Sequence, residues 1–192
     1  MRYASPMSSS FVYHSHVHQS DGTVITPDIA IDRVFASGAD GLAACPVSRL
    51  TSAATIQQTA DAPIGTPAVI LLAASYGLLI APGVILEDAL ALSRAAWRLD
   101  DIRDGYGDVT LGSWTIEAGK KTAFQSESLD CLMSPTDVMD ALGNASGLKP
   151  GTAVFIGHPA GLGESLSVDR FEVALQMGAR TLNYGFEIEV LA

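Results

Sequence analysis

His158 stands between Gly157 and Pro159, in a loop that follows a hydrophobic strand. An imidazole there can hold an anion or pass a proton near neutral pH. The plain alternative is a loop histidine held by structural hydrogen bonds. Asp101 and Arg103 sit close together in a charged, glycine-containing stretch over residues 100–108. As a unit they would offer a carboxylate base and a guanidinium that grips a carboxylate in two places. The alternative is a solvated ion pair worth only about 0–1 kcal/mol. His14, His16 and His18 alternate. On a strand all three would face one side, a spacing able to hold a transition metal. We read them instead as an exposed polar arm, since N-terminal segments are commonly loosely tied, and assign no metal ligand.

The other polar groups take simpler readings. Glu87 and Asp88 suit a helix N-terminus. Lys120 and Lys121 form a solvated turn, and Ser167, Asp169 and Arg170 order a loop before a strand. Cys45, beside Pro46, is a small buried residue. No Ser-His-Asp order, phosphate-binding loop or dinucleotide fingerprint occurs.

These groups need a scaffold, and the bulk numbers bound it. The chain has 192 residues, 48% hydrophobic and 17% charged, which suits one globular unit. A sparsely charged surface is expected to be partly covered in a homo-oligomer. Net charge is −10, with 11 Lys and Arg scattered. Nucleic acid and anionic membrane are therefore not expected as partners. Cys45 and Cys131 are far apart and form no disulfide framework. No segment has the form of a signal peptide, so a cytoplasmic location is expected. Pro67 to Leu86 is uncharged but interrupted by Gly77 and Pro82-Gly83, and reads as buried strand, turn and helix start rather than a membrane span.

The elements read as follows. A short strand is expected over Phe11 to His18. Thr26-Pro27-Asp28 starts a helix whose stripe is Ile31, Val34 and Phe35, closed by Gly38. A second short helix runs from Thr51 to Thr59. Ala68 to Ala73 is a strand buried on both faces. Pro82-Gly83 turns the chain, and Glu87 to Arg98 is helical, with Leu86, Leu90 and Trp97 on one face. Val109 to Ala118 and Lys121 to Ser126 form a hairpin around Gly119. Ser134-Pro135-Thr136-Asp137 is a capping box opening a helix. Thr152 to Gly157 is a strand. Phe171, Val173 and Leu175, then Phe186, Ile188 and Val190, alternate with polar residues as two half-buried strands.

Several segments resemble a known family. LKPGTAVFIGHPAGLG, residues 148–163, is similar to the LKPGDVIxTGTPAGVG turn of the fumarylacetoacetate hydrolase superfamily. LTSAATIQ (50–57), PGVILEDAL (82–90) and Asp101-Ile102-Arg103 resemble segments of its 2-hydroxypentadienoate hydratase and 4-oxalocrotonate decarboxylase branch. The matches keep their order over roughly residues 38–192. The resemblance implies a mixed α/β fold with a curved β-rich core over 66–192, and we expect a small helical cap or lid over 1–65. It also implies that the loop carrying His158, Pro159 and Gly161 holds the substrate carboxylate.

The departures bear on chemistry. That family holds Mg²⁺ or Mn²⁺ through a Glu-x-Glu pair and a later Glu. On our register these positions are Thr66, Ala68 and Arg98, which offer no carboxylate. The branch's lysine is replaced near Val47 or Ser48, a block after Asp101-Ile102-Arg103 is missing, and a threonine has become His158. We therefore expect a cofactor-free, metal-independent enzyme acting on an oxo or enol acid, small or polyketide-like, by lyase, isomerase or cyclase chemistry. His158 and Asp101 would be catalytic; Arg103, Pro159 and Gly161 would bind substrate. The alternatives are a non-catalytic partner subunit of a hydratase/decarboxylase complex, and an ordinary metal-dependent 2-oxo acid hydratase with Glu87, Asp88, Asp100 and Asp101 as ligands.

Overall fold

The structure, a computed structural model, describes residues 10–59, 62, 63, 65–143, 147–157 and 168–191. In chain order the elements are β1 (Phe11–His14), β2 (His16–His18), β3 (Val24–Ile25), β4 (Asp28–Ile31), β5 (Arg33–Gly38), β6 (Gly41–Cys45), β7 (Leu50–Thr51) and β8 (Thr55–Thr59). They continue with β9 (Thr66–Ala74), β10 (Gly77–Ile85), β11 (Leu90–Leu92), β12 (Ala95–Arg98), β13 (Thr110–Glu117), β14 (Lys120–Ser128), α1 (Pro135–Ala141), β15 (Thr152–Gly157), β16 (Arg170–Met177) and β17 (Arg180–Leu191). A large sheet runs β3-β2-β12-β10-β9-β15-β5-β6, with β11 beside β10 and β7 beside β11. A second sheet runs β14-β13-β16-β17-β8, and β1 pairs β4.

Strand β9 explains why two cores exist. Its residues alternate between faces. Val69 and Leu71 join Ile80, Val154 and Ile156, against Leu111, Phe171, Val173, Leu175 and Phe186 of the second sheet. Ala68, Ile70 and Leu72 join Phe155 on the opposite face, beneath Tyr13, Ile29 and Ile31 of the β1–β4 pair. A strand covered on both sides has no use for polar residues, hence the unbroken apolar run.

The expected α/β fold is mostly β, and the helical cap over 1–65 is corrected. Residues 26–38 form β4 and β5, not a helix. Ile29 and Ile31 are buried in one alternation, Val34 and Ala36 in another. The phase slip at Asp32 leaves Ile31 and Val34 three apart, which imitates a helical stripe. The branched side chains of Ile29, Ile31 and Val34 favour the extended form. Thr51 to Thr59 likewise holds β8, which pairs parallel with β17.

Two further expectations fail between residues 82 and 98. Pro82-Gly83 lies inside β10; the chain turns instead at Ser75-Tyr76. Residues 87–98 hold β11 and β12 rather than a helix. Pairing with β10 buries Leu90, Ala91, Leu92 and Trp97, and that burial outweighs the segment's helix-forming composition. The β13–β14 hairpin turns through Ala118 and Gly119, both at positive φ (48° and 78°), as a two-residue hairpin requires. The capping box of α1 forms as expected, with Ser134 and Asp137 bonded reciprocally.

Tyr13 is buried and Tyr106 and Tyr184 are partly buried within this framework. Burial pushes Tyr106 up to about 12, and its hydroxyl is enclosed without a hydrogen-bond partner among the described residues. Burial also raises Tyr13, which donates to the Ser93 carbonyl at 2.6 Å, and Tyr184, which donates to the Ala53 carbonyl at 3.1 Å. A raised phenol stabilises the fold fully below the unfolded value near 10, and that contribution is lost as pH climbs through the folded value. Denaturant midpoints should therefore fall between pH 10 and 12. Tyr106 alone should account for about 3 kcal/mol at most, and Tyr106→Phe should flatten that part of the curve.

Candidate functional site

Two of the family-like segments meet at one place. Val47–Arg49 makes a short 3-10 turn into β7, which pairs parallel with β11 through Leu90 opposite Leu50. Strand β8 pairs with β17, Gln57 opposite Glu189. Between them lies an open groove of about 410 Å³, whose polar lining is Ser48, Arg49, Thr51, Thr55, Gln57, Asp88 and Glu189. An adjoining recess of about 20 Å³ shares Ile56, Gln57, Asp88 and Ala89 and reaches Leu86 and Glu87.

Among the described residues Arg49 is the only cation in this lining. Its Nη2 donates to the carbonyls of Leu86 at 2.8 Å and Glu87 at 2.6 Å. Its Nε is buried without a partner among the described residues. Among the described residues Nη1 also has no partner, so the guanidinium is braced on one side and open on another. Gln57 Nε2 donates to Glu189 Oε2 at 3.1 Å, which leaves the amide oxygen as an acceptor. Arg49 follows the positions where the resemblance puts a lysine, Val47 or Ser48, so a cation survives close to the expected place. Asp88, read above as a helix terminus, lines the groove because no helix forms there.

The expected site residues do not all fall here. His158, Pro159 and Gly161 lie outside the described residues, as does Ser167. Gly157, which precedes them, is fixed by Ser37: the hydroxyl accepts from the Gly157 N–H at 2.8 Å and donates to its carbonyl at 3.2 Å. A Cβ on Gly157 would stand 2.9 Å from Thr66 Cγ2 and 3.2 Å from Ile85 Cδ1. Ile85 is thus one residue in sequence from Leu86, which lines the adjoining recess.

Asp101 and Arg103 are elsewhere. Arg98 pairs with Leu79, opposite Leu72, whereas Gly157 pairs with Ala68. The offset is roughly 13 Å along the strands and about 14 Å across them. The pair expected of Asp101 and Arg103 does not form. Arg103 Nη2 bonds Asp100 at 2.5 Å, and Asp101 accepts from the Ser20 N–H at 3.1 Å. His14 bonds Asp28 at 2.8 Å on the exposed β1–β4 pair.

A second open cleft, about 430 Å³, lies over β13, β16 and β17 beside Trp114. Its charges answer one another: Lys121 bonds Glu172 at 2.6 Å, and Arg170 bonds Glu172 at 3.0 Å and Glu187 at 2.8 Å. Lys121 also lies 4.5 Å from the Trp114 ring centre. The Lys121 bond holds the Glu172 carboxyl below its usual range. With each cation matched by acids, this network leaves no open guanidinium comparable to Arg49.

The fold can be placed among known proteins. A protein from Oleispira antarctica, provisionally named a fumarylacetoacetate isomerase/hydrolase, superposes with a TM-score of 0.65 at 12% identity, over 91% of this chain and 100% of that one. Yeast ynq8, a fumarylacetoacetate hydrolase family protein, gives 0.61 at 11% identity, over 83% and 93%. A 2-keto-3-deoxyarabinonate dehydratase gives 0.60 at 11% identity, over 84% and 75%; it is also known complexed with magnesium and 2,5-dioxopentanoate. The fold is therefore that of the fumarylacetoacetate hydrolase proteins. The chain itself belongs to DUF2848, a family described as of unknown function, whose model matches residues 87–185. No curated protein matches it.

The three positions assigned above to the family's magnesium ligands do not converge, so that register locates no metal centre. Ala68 is buried and pairs with Gly83, while Arg98 pairs with Leu79 at the other end of β10. Thr66, Ala68 and Arg98 thus share no site. Among the described residues no three His, Cys, Asp or Glu gather to hold an ion. No described helix is long and apolar enough to cross a membrane.

Proposed function

We propose that the chain is an enzyme acting on a small oxo or enol acid, by lyase, isomerase or cyclase chemistry that draws on no metal. The observation that carries this reading is Arg49, braced on the Leu86 and Glu87 carbonyls and open to a groove shared with Asp88, hydroxyls and an amide. A guanidinium already held in place grips a carboxylate with little further loss of freedom.

Arg49 anchors the substrate carboxylate, and Asp88 can take or return a proton beside it. His158 is the acid–base group or anion donor, with Pro159 and Gly161 shaping the bound acid. The resemblance over 148–163 supports that role, as does the position of Gly157 beside Ile85. Arg49 replaces Arg103 as anchor, because Arg103 is engaged by Asp100 at the far end of the sheet. Fixed donors then stabilise an enolate where a metal would otherwise polarise the oxo group. The shared fold adds support by analogy only.

The test is consumption of 2-hydroxypenta-2,4-dienoate and related oxo acids, followed by ultraviolet absorbance with Mg²⁺ and separately with EDTA. Turnover should ignore EDTA and vanish in His158→Ala. Loss of turnover in EDTA would overturn the metal-free chemistry. An unchanged rate in His158→Ala would remove that residue from the mechanism. No turnover, with an intact homologue co-purifying, would favour a partner subunit instead.

A further inference from the structure

Building on the groove as substrate site, we infer that it selects a monocarboxylate whose far end donates hydrogen bonds, as a hydroxyl or an ammonium, and that it rejects dicarboxylates. Among the described residues the groove has one cation, Arg49, against Asp88 and Glu189, and Glu87 borders the adjoining recess. One carboxylate on the ligand answers Arg49. A second would face an excess of negative charge, with no further cation among the described lining residues to meet it. The remaining polar groups point the same way. The Gln57 amide spends a donor on Glu189 and keeps its oxygen as an acceptor. Asp88 and Glu189 are acceptors when ionised, and Thr51 and Thr55 can accept as well as donate. A ligand rich in donors satisfies such a wall; a bare alkyl end or an anion does not. The chain's net charge of −10 acts in the same sense at longer range.

A matched six-carbon series separates the possibilities: hexanoate, 6-hydroxyhexanoate, 6-aminohexanoate and adipate, titrated calorimetrically at pH 7 and low salt. The hydroxy or the amino acid should bind tightest, and adipate should be roughly fivefold or more weaker. In Asp88→Asn and Glu189→Gln the adipate gap should narrow. An amino acid tighter than the hydroxy acid would identify charge as the selector; equality would identify donors alone. Adipate binding as tightly as either would overturn this inference while leaving the groove as an acid site. If none of the four binds, and Arg49→Met changes nothing, the groove reading and the inference fall together.

Discussion

Arg49→Met is expected to weaken carboxylate binding by roughly ten- to a hundredfold, and to lower turnover of any oxo acid substrate to match. A hydrogen-bonded charge contributes about 1.5–3 kcal/mol, which sets that range. Methionine keeps much of the aliphatic stem. What disappears is the guanidinium, with its Nη2 bonds to Leu86 and Glu87 and its open Nη1. Freed carbonyls should cost a further 1–2 kcal/mol or about that in stability. Arg49→Lys restores a charge but not the planar fork, so it should recover part of the binding and little of the brace. Calorimetry and denaturant melts on both variants separate the effects. Lower stability with unchanged acid binding would make Arg49 a brace only.

Sequence alone made this site hard to see, for physical reasons. Arg49 borders the family-like segment 50–57, but its importance comes from carbonyls 37 and 38 residues away. Asp88 read as a helix-capping acid because residues 87–98 are good helix formers. Only the pairing of β11 with β10 turns that segment into strand and brings Asp88 to the groove. Glu189 looked like the wet side of a half-buried strand, which it is; its second role appears once β8 pairs with β17. The legible parts were those where local chemistry and tertiary burial agree. They include the apolar run of β9, the glycine hairpin at 119, the Ser134 capping box and the alternation in β16; in β17 the expected buried face holds at Phe186 but not at Val190, which is exposed. The illegible parts were β4, β5, β8, β11 and β12, short strands read as helix from the sequence.

Gly83→Ala should be among the most damaging single changes, at about 3 kcal/mol or more. The sequence presents Gly83 as a turn glycine after Pro82, yet it sits inside β10 where neighbouring structure closes on it. An added Cβ would stand 2.3 Å from Ile70 Cδ1 and 2.6 Å from the Ala91 carbonyl oxygen. Ile70 is fully buried, so its side chain has no empty space to enter. The Ala91 carbonyl belongs to β11, whose register with β10 would have to shift. A glycine within a strand commonly marks such a close backbone approach. Gly38→Ala is the control: its Cβ would meet only the Gly41 carbonyl at 3.9 Å, so its midpoint should move by less than about 1 kcal/mol. Ile70→Val removes the Cδ1 contact but not the carbonyl. Added to Gly83→Ala, it should return part of the loss and never all of it. Full recovery would mean that side-chain crowding alone is at fault. A Gly83→Ala midpoint close to wild type would mean that β11 can leave β10 at small cost, and would loosen the groove wall that Asp88 occupies.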